Sequence, residues 1–155
     1  MLKGEKTRGR IVSKAAQLFN ERGLEGTSLA DLMEATGLEK GGIYRHFPSK
    51  EAVATEAFDY AWQSAFAARM HDLDTISNSV DKLKQFVTNF VERRPSVPGG
   101  CPLLNTAVAA DDGNPVLRAR ARHYGNGVIF SARSSIPASS GRRSGAGSIQ
   151  EGWRF

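Results

Sequence analysis

Residues 27–47, TSLADLMEATGLEKGGIYRHF, hold two runs of helical period on either side of Gly37. Leu29, Leu32 and Met33 mark the inward face of the first run, with Thr27 or Ser28 as its N-cap and Gly37 as its stop. Ile43 and Phe47, four apart, mark the inward face of the second run, LEKGGIYRHF, and Leu38 closes the corner between them. Both runs are shorter than the roughly 12–15 residues an isolated helix needs in water. They must therefore be seated on longer neighbours, and the chain supplies two. Ile11, Ala15, Leu18 and Phe19 recur at helical spacing ahead of a stop at Gly23. Behind them, PSKEAVATEAFDYAWQSAFAARMH opens with Pro48 and the N-cap candidate Ser49 and continues as a long helix rich in alanine and aromatics. Two short helices joined by ATGLEK match the helix-turn-helix pattern.

The same period continues downstream. NSVDKLKQFVTNFVERR is amphipathic, with Val80, Leu83, Val87 and Phe90 on one stripe and Phe86 beside it. After the loop PSVPGG another helix starts at Pro102, and a seventh begins near Gly113 or Asn114 with Pro115 in its first turn. No strand-like alternation bounded by turn signals occurs, so the fold class is all-α. After Phe130 the composition changes. The last 25 residues hold seven Ser, four Gly and four Arg, with no Leu or Val. Such a segment buries too little surface to offset its ordering entropy and is expected to be disordered. The division expected is therefore 4–64 for the helix-turn-helix unit (motif 28–47), 65–130 for a partial helical domain and 131–155 for the tail.

Composition narrows the function. At 40% hydrophobic and 24% charged, this is the make-up of a soluble globular protein. No run approaches the roughly 18–20 apolar residues that span a bilayer, and the N-terminus lacks a signal peptide's apolar core. No membrane partner and a cytoplasmic location are expected. The single Cys101 excludes an internal disulfide and a multi-cysteine zinc site, and His46, His71 and His123 have no paired ligand spacing. No metal, no cofactor and no catalytic residue is expected, since nucleophile–base pairs and phosphate loops are lacking.

The net charge of +5 is uneven along the chain. The first 64 residues carry nine basic and nine acidic side chains, and the excess sits mostly in the tail. Nucleic-acid binding has to be argued from local placement and not from the total. Gly41 and Gly42 each cost about 0.5–1 kcal/mol relative to alanine inside a helix. That cost makes sense if the bare backbone lies against base edges in a DNA major groove, with Lys40 and Arg45 reaching them. Ser28, Tyr44 and Lys50 are then placed to meet phosphates, Lys50 from the first turn of the fourth helix. Lys3, Lys6, Arg8 and Arg10 form a basic arm on the first helix.

Residues from about 7 to 60 resemble the DNA-binding domain of the TetR/AcrR family of bacterial transcriptional regulators. The resemblance is carried by AAQLFNERGLEGTSLADLMEATGLEKGGIYRHFPSKEAV, including Leu18-Phe19, Gly23, Thr27-Ser28, Gly37, Ile43-Tyr44, His46-Phe47 and Lys50-Glu51. It implies that Lys40, Gly41, Gly42 and Arg45 line base edges, while Ser28, Tyr44, His46 and Lys50 hold the backbone of a near-palindromic double-stranded operator. Glu39 departs from the family, which often has a small capping residue there. A weaker resemblance in GGCPLLNTAVAADDGNPVLRARARHY to the family's regulatory domain implies a small-molecule effector, with Trp62, Phe66, Met70, Phe86, Phe90 and Leu104 lining its pocket. The family implies a homodimeric repressor.

Family members continue past residue 130 with further long helices that pair two subunits. The expectation for this chain is that the Ser/Gly/Arg tail is aberrant sequence and that the principal dimer interface is missing. The competing reading is accordingly a dimerisation-impaired fragment that binds DNA weakly or serves only as an interaction module.

Overall fold

The computed structural model describes residues 3–110 and 113–134. Among these residues there are helices and no strands, in the order α1 (Lys3–Arg22), α2 (Leu29–Thr36), α3 (Lys40–Tyr44) and α4 (Lys50–Met70). A short 3₁₀ turn (Leu73–Thr75) leads to α5 (Ser79–Glu92), α6 (Pro102–Ala110) and α7 (Pro115–Ser134). The all-α class read from the sequence is the class observed.

The core forms about α4. One side of that helix presents Val53, Ala57 and Ala61, at four-residue spacing, to a cluster of Ile11, Val12, Ala15 and Ala16 from α1 with Leu32, Ile43 and Phe47. The other side presents Ala54, Phe58 and Trp62 to Leu24, Leu117 and Ala121. A helix buried on two faces loses its polar stripe, which explains its alanine- and aromatic-rich sequence. The small alanines let α1 lie close along it. The domain boundary expected at 64 falls inside this uninterrupted helix, so α4 serves both halves.

The local stops follow from residue type. Ser28, not Thr27, caps α2, and Asp31 completes a capping box by accepting from the Ser28 N–H at 2.7 Å. Thr27 is buried instead, its hydroxyl donating to the Gly23 carbonyl at 2.8 Å. Gly37 takes the left-handed conformation (φ 65°) that ends α2, its N–H returning to the Met33 carbonyl. The second run is shorter than its pattern predicts, since α3 ends at Tyr44. The Phe47 N–H still donates to the Ile43 carbonyl at 3.2 Å, and Pro48 then ends the turn because it has no N–H to continue it. Phe47 is 1% exposed.

At its far end α4 is closed by Asn89 of α5, a buried residue. The Asn89 amide donates to the carbonyls of Arg69 and His71 at 3.0 and 2.7 Å, and its oxygen accepts from Gln85 and Arg93. This side chain rather than the apolar stripe fixes α5. Val80, Leu83, Val87 and Phe90 are each more than half exposed, so the stripe turns away from the packed side of the helix. The joint between α1 and α6 is similarly polar. Asn105 donates to the backbone carbonyl of Asn20 at 3.0 Å and to that of Gly99 at 2.7 Å, while Asn20 donates to Pro98. Gly99 has φ 102°, and a Cβ there would stand 2.8 Å from the Asn20 amide nitrogen and 3.0 Å from its backbone. Finally, α7 runs to Ser134, four residues beyond the composition change at 130. The rest of the expected tail, 135–155, lies outside the described residues.

Candidate nucleic-acid interface

With Ile43 and Phe47 in the core, the opposite side of α3 is fixed by the 100° step of a helix. Gly41 and Arg45 fall on it, with Tyr44 and Gly42 to either side, while Lys40 stands at the helix entry nearer the anchored side; Lys40, Gly41, Tyr44 and Arg45 are exposed. The Lys40 ammonium lies 5.9 Å from the centre of the Tyr44 ring. Gly42 and His46 flank this face and are half-buried. The two glycines differ in surroundings. A Cβ on Gly41 would meet nothing within 4 Å, and one on Gly42 would come to 3.4 Å from the Leu38 Cβ, within reach of ordinary contact. Neither glycine is demanded by packing within the chain.

Three cations or hydroxyls assigned to DNA from sequence have internal partners. The Lys50 ammonium donates to the carbonyls of Leu24 at 2.9 Å and Thr27 at 3.1 Å, holding the turn between α1 and α2. The Ser28 hydroxyl donates to the Asp31 carboxylate at 2.6 Å and accepts from the Asp31 N–H at 3.1 Å. These bonds to Ser28, with Arg22 at 3.2 Å adding its charge, hold the Asp31 carboxyl below the usual carboxylate range. Arg8 does not extend the basic arm. It turns inward to the His46 carbonyl, the Glu56 carboxylate and the ring of Phe47. The Ser-x-x-Asp spacing at 28–31 is a signal from which the cap could have been read. Nothing local in the sequence marks the partners of Lys50 and Arg8, which lie 23 to 48 residues away. Glu39, the departure from the family pattern, stands at the N-cap of α3 and makes no side-chain capping bond.

The residues named for an effector are not gathered round one cavity. Trp62 is buried between Tyr124 and Phe66, with ring centres at 5.5 and 5.8 Å. Met70 and Phe86 are half-buried, and Phe90 is exposed beneath the Arg69 guanidinium at 4.7 Å. Leu104 alone of the six lines the cleft of about 660 Å³ between α1, α4, α6 and α7, beside Phe19, Leu24, Phe58, Val108 and Leu117. Next to it Asp59 joins α4 to α7, accepting from Arg120 at 2.8 Å and from the Tyr124 hydroxyl at 3.0 Å. Burial pushes the Asp59 carboxyl up, against the pull of Arg120. Among the described residues no group of three or more His, Cys, Asp or Glu could hold a metal, and no helix is long and apolar enough to cross a membrane.

Comparison with known proteins matches both halves of the chain. Residues 11–57 fit the family described as bacterial regulatory proteins, tetR family, and residues 79–129 fit the tetracyclin repressor-like C-terminal domain. Over 77 residues the chain is 32% identical to the HTH-type transcriptional repressor KstR2 of Mycobacterium tuberculosis, covering 50% of this chain and 38% of that one. The chain thus spans less than half the length of that relative. A TetR transcriptional regulator from Chloroflexus aurantiacus superposes with a TM-score of 0.81 at 46% identity, covering 87% of this chain and 69% of the other. A TetR-family regulator from Cytophaga hutchinsonii superposes with a TM-score of 0.77 at 35% identity, covering 90% and 76%. With the same helix order, both family descriptions matched in sequence, and 46% identity to a solved member, the chain belongs to the TetR family of bacterial regulatory proteins.

Proposed function

We propose that the protein is a DNA-binding transcriptional repressor of the cytoplasm, with no enzymatic activity, that reads operator DNA with α3. The observation that carries this is the exposed group of Lys40, Gly41, Tyr44 and Arg45 about α3, a helix anchored in the core by Ile43 and, just past its end, by Phe47. Lys40 and Arg45 supply donors to base edges, and Gly41, with Gly42 at its flank, lets the backbone come close. Tyr44 and His46 hold phosphates at the edges. Ser28 and Lys50 support the same interface from behind, as cap and clamp. A homodimer would place two such helices in successive major grooves of a near-palindromic site. An effector would enter the cleft between α1, α4, α6 and α7, where apolar walls meet the joint to the DNA-reading unit.

Selection of duplexes from a random-sequence pool, followed by titration of the tightest one, tests this reading. Arg45→Ala should cost about 1–3 kcal/mol on the selected duplex and relax preference at one base pair. A wild-type protein that enriches no sequence would overturn the proposal. Light scattering of the purified chain tests the dimer, which requires twice the chain mass of 16.8 kDa.

A further inference from the structure

We propose that Arg8 is a positioning residue for the reading helix, resting on the assignment of α3 as the element that meets base edges. Five residues cannot hold a helix by themselves, and α3 lacks a side-chain cap at Glu39. Its direction is therefore set from outside. Ile43 and Phe47 anchor it by burial, but apolar contact alone permits a helix to roll or slide on its seat. Arg8 adds a directional bond. One arm of its guanidinium donates to the His46 carbonyl at 2.5 Å, in the turn that leaves α3. The other arm pairs with Glu56 of α4, and the Arg8 Cζ lies over the Phe47 ring, 4.3 Å from its centre. One fork thus ties α1, the exit of α3 and α4 at a single point.

The fork is what this task requires. Two N–H groups at a fixed angle meet two acceptors on different elements, while the flat cation covers an aromatic ring. An ammonium is a point charge and cannot do all three. The Arg8 side chain is 42% exposed, but its two arms are taken by the His46 carbonyl and Glu56, so its effect on DNA passes through the angle of Lys40, Gly41 and Arg45.

The test compares wild type, Arg8→Ala, Arg8→Lys and Glu56→Gln in the full chain, on the selected duplex and on a random duplex across a salt series. Arg8→Ala should weaken the selected duplex about tenfold, the scale of one misplaced base contact, and the random duplex far less. The slope of log affinity against log salt should be unchanged, since no phosphate contact is lost. Arg8→Lys should recover little of the preference, and Glu56→Gln should move it in the same direction by less. Amide exchange at His46 and Phe47 should quicken in Arg8→Ala. Equal losses on both duplexes with a shallower salt slope, or full rescue by lysine, would show that Arg8 acts as charge against DNA and overturn the inference. If Arg8→Ala does not fold, an unchanged preference in Glu56→Gln overturns it. If the wild type selects no duplex, the reading of α3 falls, and exchange decides the rest: unchanged rates at His46 and Phe47 would remove the clamp as well.

Discussion

Replacing Gly41 with alanine separates what the fold needs from what a partner needs. The residue is exposed and helical, and a Cβ there meets nothing within 4 Å. Within the chain the substitution should therefore be favourable, by about 0.5–1 kcal/mol from helix propensity. For a chain of this size that is a rise in melting temperature of roughly 1–4 °C. On DNA the sign reverses. A methyl group on the face shared with Arg45 should hold the backbone off the base edges and lengthen contacts that need hydrogen-bond distance. Displacing one bidentate contact should cost about 1–3 kcal/mol, roughly 5- to 150-fold in affinity. Binding to random DNA, held by phosphates, should change much less. Thermal melting and titration of the selected and random duplexes are the assays. A variant that is more stable but binds its selected duplex as tightly as wild type would refute the close approach. A variant that melts lower would show that the fold itself requires Gly41.

Lys50→Ala should lower stability by about 1–2 kcal/mol, since it strips a charged donor from two carbonyls at the α1–α2 turn; the salt slope of DNA binding should stay the same, and a drop of about one phosphate's worth would return Lys50 to the DNA backbone. Asn89→Ala should cost about 1–3 kcal/mol by removing the buried donor that meets the part-buried Arg69 and His71 carbonyls, visible as a lower melting temperature and faster exchange at the end of α4. Asp59 and Asp31 should act in opposite directions in acid. Burial raises the Asp59 carboxyl, so the wild type should gain stability relative to Asp59→Asn as pH falls from neutral through that raised value. The cap lowers Asp31, so its contribution should hold above about pH 4 and fade below as the carboxyl takes up its proton; melting curves of wild type, Asp59→Asn and Asp31→Asn from pH 3 to 7 check the two signs.

The helical order was legible because its signals are local. Ser28, Gly37, Ser49, Pro102 and Pro115 each mark a boundary through their own backbone chemistry, and each boundary lies where that chemistry puts it. The anchors Ile43 and Phe47 were legible for the same reason; their spacing left Lys40, Gly41, Gly42, Tyr44, Arg45 and His46 to share the remaining circumference, of which Gly42 and His46 are half-buried. What was not legible depends on which residue is met far along the chain. Lys50 and Arg8 are cations near a candidate DNA surface, and local sequence cannot distinguish a phosphate from the Leu24 carbonyl or Glu56 as the partner. The α5 stripe was legible as amphipathic but not as exposed, because periodicity reports a face without naming what covers it. That the six residues named for an effector do not gather round one cavity was not legible for a related reason. A large apolar side chain serves a core and a ligand equally well, and here Tyr124 and Phe66 take up Trp62.

The distribution of charge bears on how such a unit discriminates among DNA sequences. The first 64 residues hold equal numbers of acids and bases, and several of the bases are engaged inside the chain. Arg8 faces Glu56, Arg22 faces Asp31, and Lys50 faces two carbonyls. The DNA-reading unit itself then supplies little long-range attraction to a polyanion, the chain's net charge of +5 lying beyond residue 64. Discrimination then falls to the few groups presented by α3, and it depends on their angle more than on their number. That places a premium on the parts that orient a five-residue helix: the buried Ile43 and Phe47, the Lys50 clamp behind α2, and the Arg8 fork at its exit. On the proposed reading, the cations engaged inside the chain would act on DNA through the angle at which Lys40 and Arg45 are presented.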